Sequence, residues 1–486
     1  MIIRDKKEDL FNYLEDTSNI KGKASLLYLP QTKEEVSGCL EDCRAKDIPF
    51  TVSGGRTGTT GGCVPFEGAI ISLEKLNRII AVNPEKKTIQ LETGVTLEDL
   101  EKEANKFNLT LPASPTEPLA FVGGAISTSA SGVRGFRYGS IRKYIAAIEI
   151  LLTSGESIKI ERGRIISKKR YFDFENSHKS FKFNLPSYGM PAVKSQAGYY
   201  AHSDMDLIDL FIGSEGTLGI ITSCEVILKS TPFKIFDGLA FFKNENDAFR
   251  MIHQIKELKD RNLLNPTALE FFDRNSLARL KKEYPFVPSS AIGVYFEQEI
   301  DNEGDYNQFI EKWASLIEEN AGLVDKTVFA DTSKERAKIF EFRHRLPQLI
   351  NEFLREHKQP KAATDIAVPW QFFGQMYTFY EKIGKNCGID YVNFGHIGES
   401  HLHFNFLPKN EDESLKAKTY LNLFCQKAVA LGGTVSAEHG IGKIKKPYLK
   451  IMYSENEIKE MAALKKYFDP QRLLGLDNIF EKELLF

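Results

Sequence analysis

The feature that most constrains this chain is a glycine-dense stretch, SGGRTGTTGG, at residues 53–62, in which five of ten residues are glycine. It follows a short apolar run, IPFTVSG, whose composition predicts a β-strand. Glycine lets successive backbone N–H groups turn towards one anion and lets a phosphate approach the main chain. We therefore expect a strand that leads into a phosphate-binding loop. The loop is neither a Rossmann GxGxxG turn nor a P-loop, because no Gly-Lys-Ser/Thr follows it.

Two further segments are rich in glycine and small residues, FVGGAISTSASGVRGFRYGS at 121–140 and FIGSEGTLGIIT at 211–222. Small side chains leave room for a flat ligand against the backbone. One such loop alone is a weak signal, since a mobile surface loop has the same composition. Three of them within one stretch of chain are hard to explain as turns, and together they favour a cofactor site.

Strand and helix signals divide the chain near residue 232. The first 230 residues combine short β-runs such as TIQLETG with helical segments such as KEEVSGCLEDCRAK at 33–46, where Cys39 and Cys43 fall on one face. After STPFK at 230–234 the pattern changes to alternating strands and longer helices. The length of 486 residues agrees with two domains. We predict an α+β fold.

Composition excludes several classes of protein. Lys and Arg number 64 against 66 Asp and Glu, a net charge of −2, and no basic run interleaved with aromatics suggests nucleic-acid binding. The six cysteines form no CxxC pair, which argues against a disulfide framework, a zinc ribbon or an iron–sulfur cluster. The amino terminus lacks a signal-peptide pattern and no segment reaches 18 uninterrupted apolar residues, so we expect a cytoplasmic protein without an integral membrane segment.

The stretch GHIGESHLHFN at 395–405 holds three of the nine histidines. If HLHFNF is a strand, its alternation puts His401, His403 and Asn405 on one face. In SAEHGIG at 436–442 a carboxylate and an imidazole are adjacent, so one can serve as a metal ligand and the other as a base. Isolated histidines are usually ordinary surface or core groups, but two imidazoles and a carboxylate with an open position are typical of a catalytic Zn²⁺ site.

The three glycine-rich segments resemble the FAD-binding domain of the vanillyl-alcohol oxidase/PCMH flavoprotein family. Many members of that family bind the flavin covalently through a histidine in these loops; here no histidine precedes His178, so we predict non-covalent FAD. The resemblance implies that FAD is contacted by Gly54, Gly55, Arg56, Thr57, Gly58, Thr59, Gly61, Gly123, Gly124, Ser127, Ser131, Gly139, Glu215, Gly216 and Ile220.

The second half resembles the C-terminal catalytic domain of FAD-linked D-2-hydroxyacid dehydrogenases, whose pattern is GHxGDGNLHxN followed by SxEHGxG. The resemblance implies that Zn²⁺ or another divalent metal is bound by His396, His403 and Glu438. His439 would be the base. His401 stands where the family has asparagine, and we predict a substrate contact or an extra ligand there.

Two basic residues correspond to the family's carboxylate-binding positions. They are Arg343, with Arg345 beside it, and Lys361, which is displaced by two positions from the common spacing. Ignoring the resemblance, a helix-surface salt bridge is as good an interpretation of Arg343. The size of the substrate and the charge of its tail therefore stay open.

This resemblance implies a PCMH-type FAD-binding domain at 1–232, a ferredoxin-like α+β substrate (cap) domain at 233–455 and a C-terminal segment at 456–486 that returns to the FAD domain. The expected reaction is oxidation of a D-2-hydroxyacid, of the D-lactate or D-2-hydroxyglutarate class, to the 2-oxoacid. An electron-transfer flavoprotein, a quinone, a cytochrome or an iron–sulfur subunit would reoxidise the flavin. A homodimer and a location peripheral to the inner membrane are compatible with the sequence.

Two alternatives stay open. One is a flavoenzyme like alkyl-dihydroxyacetonephosphate synthase, which shares the FAD domain but carries a different histidine-rich loop. The other is a flavin-binding subunit of a glycolate oxidase-type complex, although a non-catalytic subunit tends to lose the metal residues.

Overall fold

The computed structural model describes residues 1–113, 115–176 and 179–486, so Ser114, Ser177 and His178 lie outside the described residues. The chain divides into two compact units. Unit 1 comprises Met1–Gly132, Ser140–Thr231 and Ser436–Phe486, and unit 2 comprises Val133–Gly139 and Pro232–Val435. Residues 436–455, which the sequence analysis assigned to the cap domain, therefore belong to unit 1, and residues 133–139 belong to unit 2.

The strands of unit 1 build two main sheets. In the described part of the chain one sheet has the order β1-β2-β4-β3 and the other is antiparallel with the order β5-β6-β12-β8-β9, while β10 pairs with β11 and β7 with β13. The strands are β1 (Ile2–Arg4), β2 (Leu26–Leu29), β3 (Phe50–Ser53), β4 (Ala69–Ser72), β5 (Ile79–Asn83), β6 (Thr88–Glu92), β7 (Leu109–Thr110), β8 (Ile145–Leu151), β9 (Ser157–Glu161), β10 (Tyr171–Asn176), β11 (Lys179–Asn184), β12 (Ile220–Ile227) and β13 (Lys229–Ser230).

Helices occur in both units, with α5 and α7 to α12 in unit 2. Within the described ranges, no helix is both long and apolar enough to cross a membrane. The helices are α1 (Lys7–Leu10), α2 (Lys33–Ala45), α3 (Leu97–Asn105), α4 (Val122–Ser127), α5 (Gly135–Tyr138), α6 (Leu207–Phe211), α7 (Glu245–Asp260), α8 (Arg274–Leu280), α9 (Tyr306–Glu319), α10 (Ser333–Glu356), α11 (Trp370–Asn386), α12 (Glu411–Ala430), α13 (Lys446–Met452) and α14 (Glu455–Phe468).

Helix α2 and strand β3 agree with their sequence patterns. Thr32 caps the helix by accepting a hydrogen bond from the Glu35 N–H at 3.3 Å, which satisfies one of the backbone donors that a helix start leaves unpaired. Cys39 and Cys43 are both buried on the face that packs into the core, as predicted. The next strand, β3, pairs in parallel with β4 and ends at the first glycine of the loop.

The carboxyl-terminal part of unit 1 lies beside β3. The Phe50 N–H donates to the Leu473 carbonyl at 2.8 Å, and the Gly475 N–H donates to the Phe50 carbonyl at 2.8 Å. These bonds form a short parallel bridge between Phe50 and Leu474. Residues 473–475 therefore pair with β3, the strand that leads into the glycine loop.

Unit 2 is built on an antiparallel sheet. Over the described residues its order is β17-β14-β16-β15-β20-β21-β18, and β19 also pairs with β21. Buried side chains of the sheet and of α10, among them Phe272, Leu346 and Val392, form its core. The strands are β14 (Lys234–Phe242), β15 (Ala268–Phe272), β16 (Ile292–Ile300), β17 (Val328–Ala330), β18 (Ala362–Ala363), β19 (Ile366–Ala367), β20 (Asp390–Gly395) and β21 (His401–Leu407). Mixed helix and sheet in both units confirm the α+β class.

Candidate functional site

The first glycine-rich loop, residues 54–62, follows directly from β3. Its backbone is closely packed on one side: a Cβ on Gly55 would lie 3.0 Å from the Leu119 carbonyl oxygen. On Gly62, by contrast, a Cβ would meet no heavy atom within 4 Å. Arg56 has a left-handed conformation with φ of 61°, and its guanidinium lies 4.6 Å from the centre of the Tyr13 ring. The loop is thus anchored on one side and open on the other.

The middle of this loop is fixed through its backbone. The Thr17 hydroxyl lies 3.1 Å from the Thr57 carbonyl and 2.6 Å from the Gly58 carbonyl. Gly61 has φ of 74°, a conformation that favours glycine, and Thr59 beside them is half-buried. The Thr17 hydroxyl therefore ties the middle of the loop to the preceding part of unit 1.

The second glycine segment packs against the first. A Cβ on Gly54 would lie 3.8 Å from the Gly124 Cα, so the two backbones are neighbours. At Gly123 a Cβ would come 2.6 Å from the Thr93 Cβ, closer than two carbons approach. A Cβ on Gly124, the next residue of α4, would meet nothing within 4 Å. One glycine is required for packing, and the other borders open space.

The third segment joins the same place. The Glu215 N–H donates to the Ser127 carbonyl at 2.8 Å, which links it to the second segment. Gly216 has φ of 67°, and a Cβ there would meet no heavy atom within 4 Å. Ile220, the last residue of the expected set in this segment, starts β12 and is buried in the core beside Leu151.

The Glu215 carboxylate has a structural contact that the sequence analysis did not predict. It accepts hydrogen bonds from the Ile441 N–H at 2.8 Å and the Gly442 N–H at 2.6 Å. Burial raises the pKa of this carboxyl to about 7, although the two N–H donors act in the opposite direction. A Cβ on Gly440 would lie 2.8 Å from the carboxyl carbon, so glycine is needed there. Glu215 thereby fixes the turn that follows His439.

The open sides of Gly62, Gly124 and Gly216 are what a bound dinucleotide requires, since its pyrophosphate must approach the main chain closely. The parts of the three segments that lie in unit 1, residues 54–62, 121–132 and 211–222, are adjacent, and backbone contacts link them. This arrangement fits FAD.

Asn478 and Lys443 are two residues of this region that the sequence analysis did not assign. The Asn478 amide donates to the Gly62 carbonyl at 2.8 Å and to the Glu215 carbonyl at 3.2 Å. The Lys443 ammonium donates to the Asn478 side-chain oxygen at 2.6 Å, and burial lowers the pKa of Lys443 to about 8. The charge-rich run KIKK gives no sign that its first lysine is buried, so no sequence signal identified this pair.

Glu438 is held by unit 1 residues. Its Oε1 accepts hydrogen bonds from the Ser131 hydroxyl at 2.8 Å and the Gly132 N–H at 2.6 Å, and the Lys194 ammonium lies 3.6 Å from the same oxygen. Ser131, expected to contact FAD, is thus a hydrogen-bond donor to Glu438. Lys194 was not predicted. Its side chain is 9% exposed, and a lysine distant in sequence carries no signal of such a contact.

His439 is half-buried, and its carbonyl accepts a hydrogen bond from the Thr60 hydroxyl at 3.3 Å. The following Gly440 has φ of 76°. His439, the base predicted from the sequence, therefore lies beside the first glycine loop within unit 1. Gly139, expected to contact FAD, belongs to unit 2, where it ends α5 with φ of 71°.

Unit 2 brings three histidines together. His396 follows β20, a single 3₁₀ turn at Ile397–Glu399 reverses the chain, and His401 begins β21. His401 and His403 share a face of the strand as predicted, with ring centres 4.5 Å apart. The potential ligand atoms of the three rings lie within 4.8 Å of one another. The structure thus groups His401 with the two histidines expected to bind metal.

Each of the three rings has one nitrogen close to an oxygen. His396 Nδ1 lies 2.9 Å from Glu270, His401 Nε2 lies 2.9 Å from Asp365, and His403 Nδ1 lies 3.2 Å from the Thr364 carbonyl. Histidines that bind metals have this arrangement, because the oxygen fixes the tautomer and the ring orientation. The donor set therefore fits a divalent transition metal.

Arg343 on α10 is engaged differently from the expectation. Its Nε and Nη2 both donate to the Glu270 carboxylate, the latter at 2.7 Å, and its Nη1 lies 3.2 Å from His344. Burial raises the pKa of Glu270, but the charge of Arg343 and the hydrogen bond from His396 outweigh it and hold the pKa well below its usual range. Arg343 thus stabilises the carboxylate that orients His396.

The other two basic residues lie at the surface. Arg345 on α10 donates to Glu283, which follows α8, at 2.7 Å and to Glu352 on α10 at 2.7 Å, and its side chain is 22% exposed. Lys361 is exposed and immediately precedes β18, which pairs with the end of β21. Of the expected substrate contacts, only His401 lies within the histidine cluster.

Two protein families match this chain. The FAD binding domain family matches residues 24–161, and the C-terminal domain of the FAD linked oxidases matches residues 237–476. Among solved structures, alkyldihydroxyacetonephosphate synthase has a TM-score of 0.68 at 17% identity and covers 97% of this chain and 81% of its own. That likeness shows the fold alone, and it agrees with the PCMH-type fold expected from the glycine loops.

Several named relatives match almost the whole chain. D-lactate dehydrogenase of Anaerostipes hadrus is 29% identical and covers 97% of this chain and 93% of the relative. Glycolate oxidase subunit GlcD of Bacillus subtilis is 28% identical, with 93% and 88% covered. D-2-hydroxyglutarate dehydrogenase of Xanthomonas citri pv. viticola is 27% identical, with 93% and 88% covered. The chain therefore combines a region similar to the FAD binding domain family with a region similar to the C-terminal domain of the FAD linked oxidases, and it is an FAD-dependent oxidoreductase.

Proposed function

We propose that this chain oxidises a D-2-hydroxyacid of the D-lactate or D-2-hydroxyglutarate class to the 2-oxoacid, with hydride transfer to N5 of non-covalently bound FAD and with a divalent metal at the histidine cluster. The observation that carries the proposal is the set of three imidazoles in unit 2, each with one nitrogen within 3.2 Å of an oxygen. The relatives named D-lactate and D-2-hydroxyglutarate dehydrogenase support the substrate class.

FAD would be held in unit 1 by the three glycine segments, whose backbones border open space at Gly62, Gly124 and Gly216. Asn478 supports the first loop through its bond to the Gly62 carbonyl. Because the bonds that close this region are protein to protein, we expect the site to keep its shape when FAD dissociates. This agrees with a flavin that is not covalently attached.

His396, His403 and Glu438 are the proposed metal ligands. When bound, FAD supplies a hydride acceptor and the divalent cation supplies a Lewis acid that makes a coordinated hydroxyl more acidic. Glu270 orients the His396 ring, while the Ser131 hydroxyl and the Gly132 N–H hold the Glu438 carboxylate. These contacts limit the rotation of the ligands and so favour one coordination geometry.

His439 is the proposed general base, which accepts the proton of the substrate hydroxyl as the hydride leaves Cα. Its backbone is fixed on both sides, by the Thr60 hydroxyl and by the turn that Glu215 holds. Arg343 and Lys361 remain the proposed contacts of the substrate carboxylate. Arg343 already donates from Nε and Nη2 to Glu270, so a substrate carboxylate would share this side chain with Glu270.

The acceptor that reoxidises the flavin is proposed to be an electron-transfer flavoprotein, a quinone, a cytochrome or an iron–sulfur subunit. We propose a cytoplasmic location, including one peripheral to the inner membrane for a quinone acceptor.

The proposal is tested by anaerobic flavin reduction. Purified holoprotein is mixed with D-lactate, D-2-hydroxyglutarate or their L-forms, and the flavin absorbance near its visible maximum is followed. We expect bleaching with a D-form only, and loss of bleaching after EDTA that returns with added Zn²⁺. Bleaching that persists after EDTA and in His396→Ala would refute the metal's part, and bleaching with L-forms alone would refute the substrate class.

A further inference from the structure

We infer that His401 is a third imidazole ligand of the divalent cation, so that this chain's metal site contains three histidines. The inference rests on the proposed function for the presence of a metal. Of the two roles that the sequence left open for His401, a substrate contact or an extra ligand, it selects the ligand. His401 would then belong to the metal site and be unable to select among substrates directly.

Distance supports this assignment. Zn–N bonds of about 2.1 Å place two nitrogens of a tetrahedral site about 3.4 Å apart, and never more than about 4.2 Å apart. The potential ligand atoms of His396, His401 and His403 lie within 4.8 Å of one another. Side-chain shifts of at most about 0.8 Å per ring therefore bring all three to one ion. Small rotations of the imidazoles are enough, because His401 and His403 share a strand face and need no backbone change.

The surroundings of His401 repeat those of the other two rings. Its Nε2 lies 2.9 Å from the Asp365 carboxylate, as His396 Nδ1 lies 2.9 Å from the Glu270 carboxylate. A carboxylate on one nitrogen makes the other nitrogen the ligand atom and raises its basicity. For His401 that ligand atom is Nδ1.

Burial distinguishes this interpretation from that of a substrate contact. The His401 side chain is 0% exposed and that of Asp365 is 3% exposed. A substrate contact must be reached by a molecule that enters from solvent, whereas a metal ligand can be enclosed by the protein. An ion pair alone is a weak reason for two such groups to be buried, because the desolvation cost offsets most of their attraction.

Cobalt substitution counts the imidazoles directly. The full-length protein is stripped with a chelator and loaded with one equivalent of Co²⁺, and proton NMR records the strongly shifted, exchangeable ring N–H signals of coordinated histidines. We expect three such signals, which all disappear in D₂O. Two signals would overturn the inference while leaving the metal of the proposed function intact, and no Co²⁺ binding would overturn both.

A substitution gives an independent measurement. His401→Asn should weaken Co²⁺ binding at least about tenfold in competition with a chromophoric chelator, and should change the visible d–d absorption. His253→Asn is the matched control, because His253 lies on α7 with a side chain 58% exposed. Unchanged affinity and spectrum in His401→Asn would refute the assignment. If that variant does not fold, the signal count on the unaltered protein decides.

Discussion

Gly123 and Gly124 are adjacent in α4, and adding one methyl group at either position tests a different property: packing at Gly123 and cofactor binding at Gly124. At Gly123 an added Cβ would lie 2.6 Å from the Thr93 Cβ and 3.0 Å from the Thr93 carbonyl oxygen, whereas at Gly124 it would meet no atom within 4 Å. Gly123→Ala forces a buried strand end to move, which costs about 1–3 kcal/mol. Gly124→Ala adds a methyl to a helical residue without any overlap, and it should stabilise the apoprotein by about 0.5–1 kcal/mol.

Gly124→Ala should be the more stable variant as apoprotein but the weaker of the two in FAD affinity. The methyl of Gly124→Ala occupies the space that we assign to FAD, and we expect its FAD affinity to fall at least about tenfold, or about 1.4 kcal/mol. Gly123→Ala points away from that space, so its folded fraction should bind FAD nearly normally. Thermal unfolding of the apoproteins measures stability, and titration of FAD fluorescence measures affinity. If Gly124→Ala binds FAD as tightly as the unaltered protein, the cofactor does not lie against α4.

Three further predictions follow from individual contacts. Burial, partly offset by hydrogen bonds from Ser276, raises the pKa of Asp273 from 3.8 to about 7, so this carboxyl's contribution to stability falls as pH rises from about 4 to about 7. In that range the free energy of unfolding of Asp273→Asn should rise relative to that of the unaltered protein by up to about 1.4 kcal/mol per pH unit. The control variant Asp412→Asn, at an exposed position, should show no such trend. Asn478→Ala should weaken FAD binding through loss of its bond to the loop, measured by the same fluorescence titration; equal affinity would contradict that role. Glu270→Gln should lower Co²⁺ affinity about 10–100-fold by releasing the His396 ring, and an unchanged chelator competition would show that this carboxylate does not act on the metal.

Short-range patterns predicted the local features of this protein correctly. Alternation along HLHFNF places His401 and His403 on one face, because successive side chains of a strand point to opposite sides. Helical spacing predicts the shared buried face of Cys39 and Cys43. Glycine density predicted three segments that the fold brings together. In each case the signal lies within about ten residues, where the backbone geometry alone determines which side chains are neighbours.

Partners that are distant in sequence could not be predicted in this way. Ser131 and Glu438 are 307 positions apart, and Arg343 and Glu270 are 73 apart. Periodicity shows which face of an element a residue occupies, but not which residue of another element meets it. The resemblance therefore assigned Arg343 to the substrate carboxylate and gave no indication that it is paired with Glu270. Lys443 was missed for the same reason, since burial of a lysine depends on its tertiary neighbours.

The bond between Asn478 and the Gly62 carbonyl has a consequence for biosynthesis. The glycine loop is synthesised before Asn478, whose side chain, more than 400 positions later, completes the support of the loop. A nascent chain that ends before Asn478 would lack the hydrogen bond to the Gly62 carbonyl. The loop therefore gains its full set of contacts only after residue 478 has been synthesised and has folded onto it.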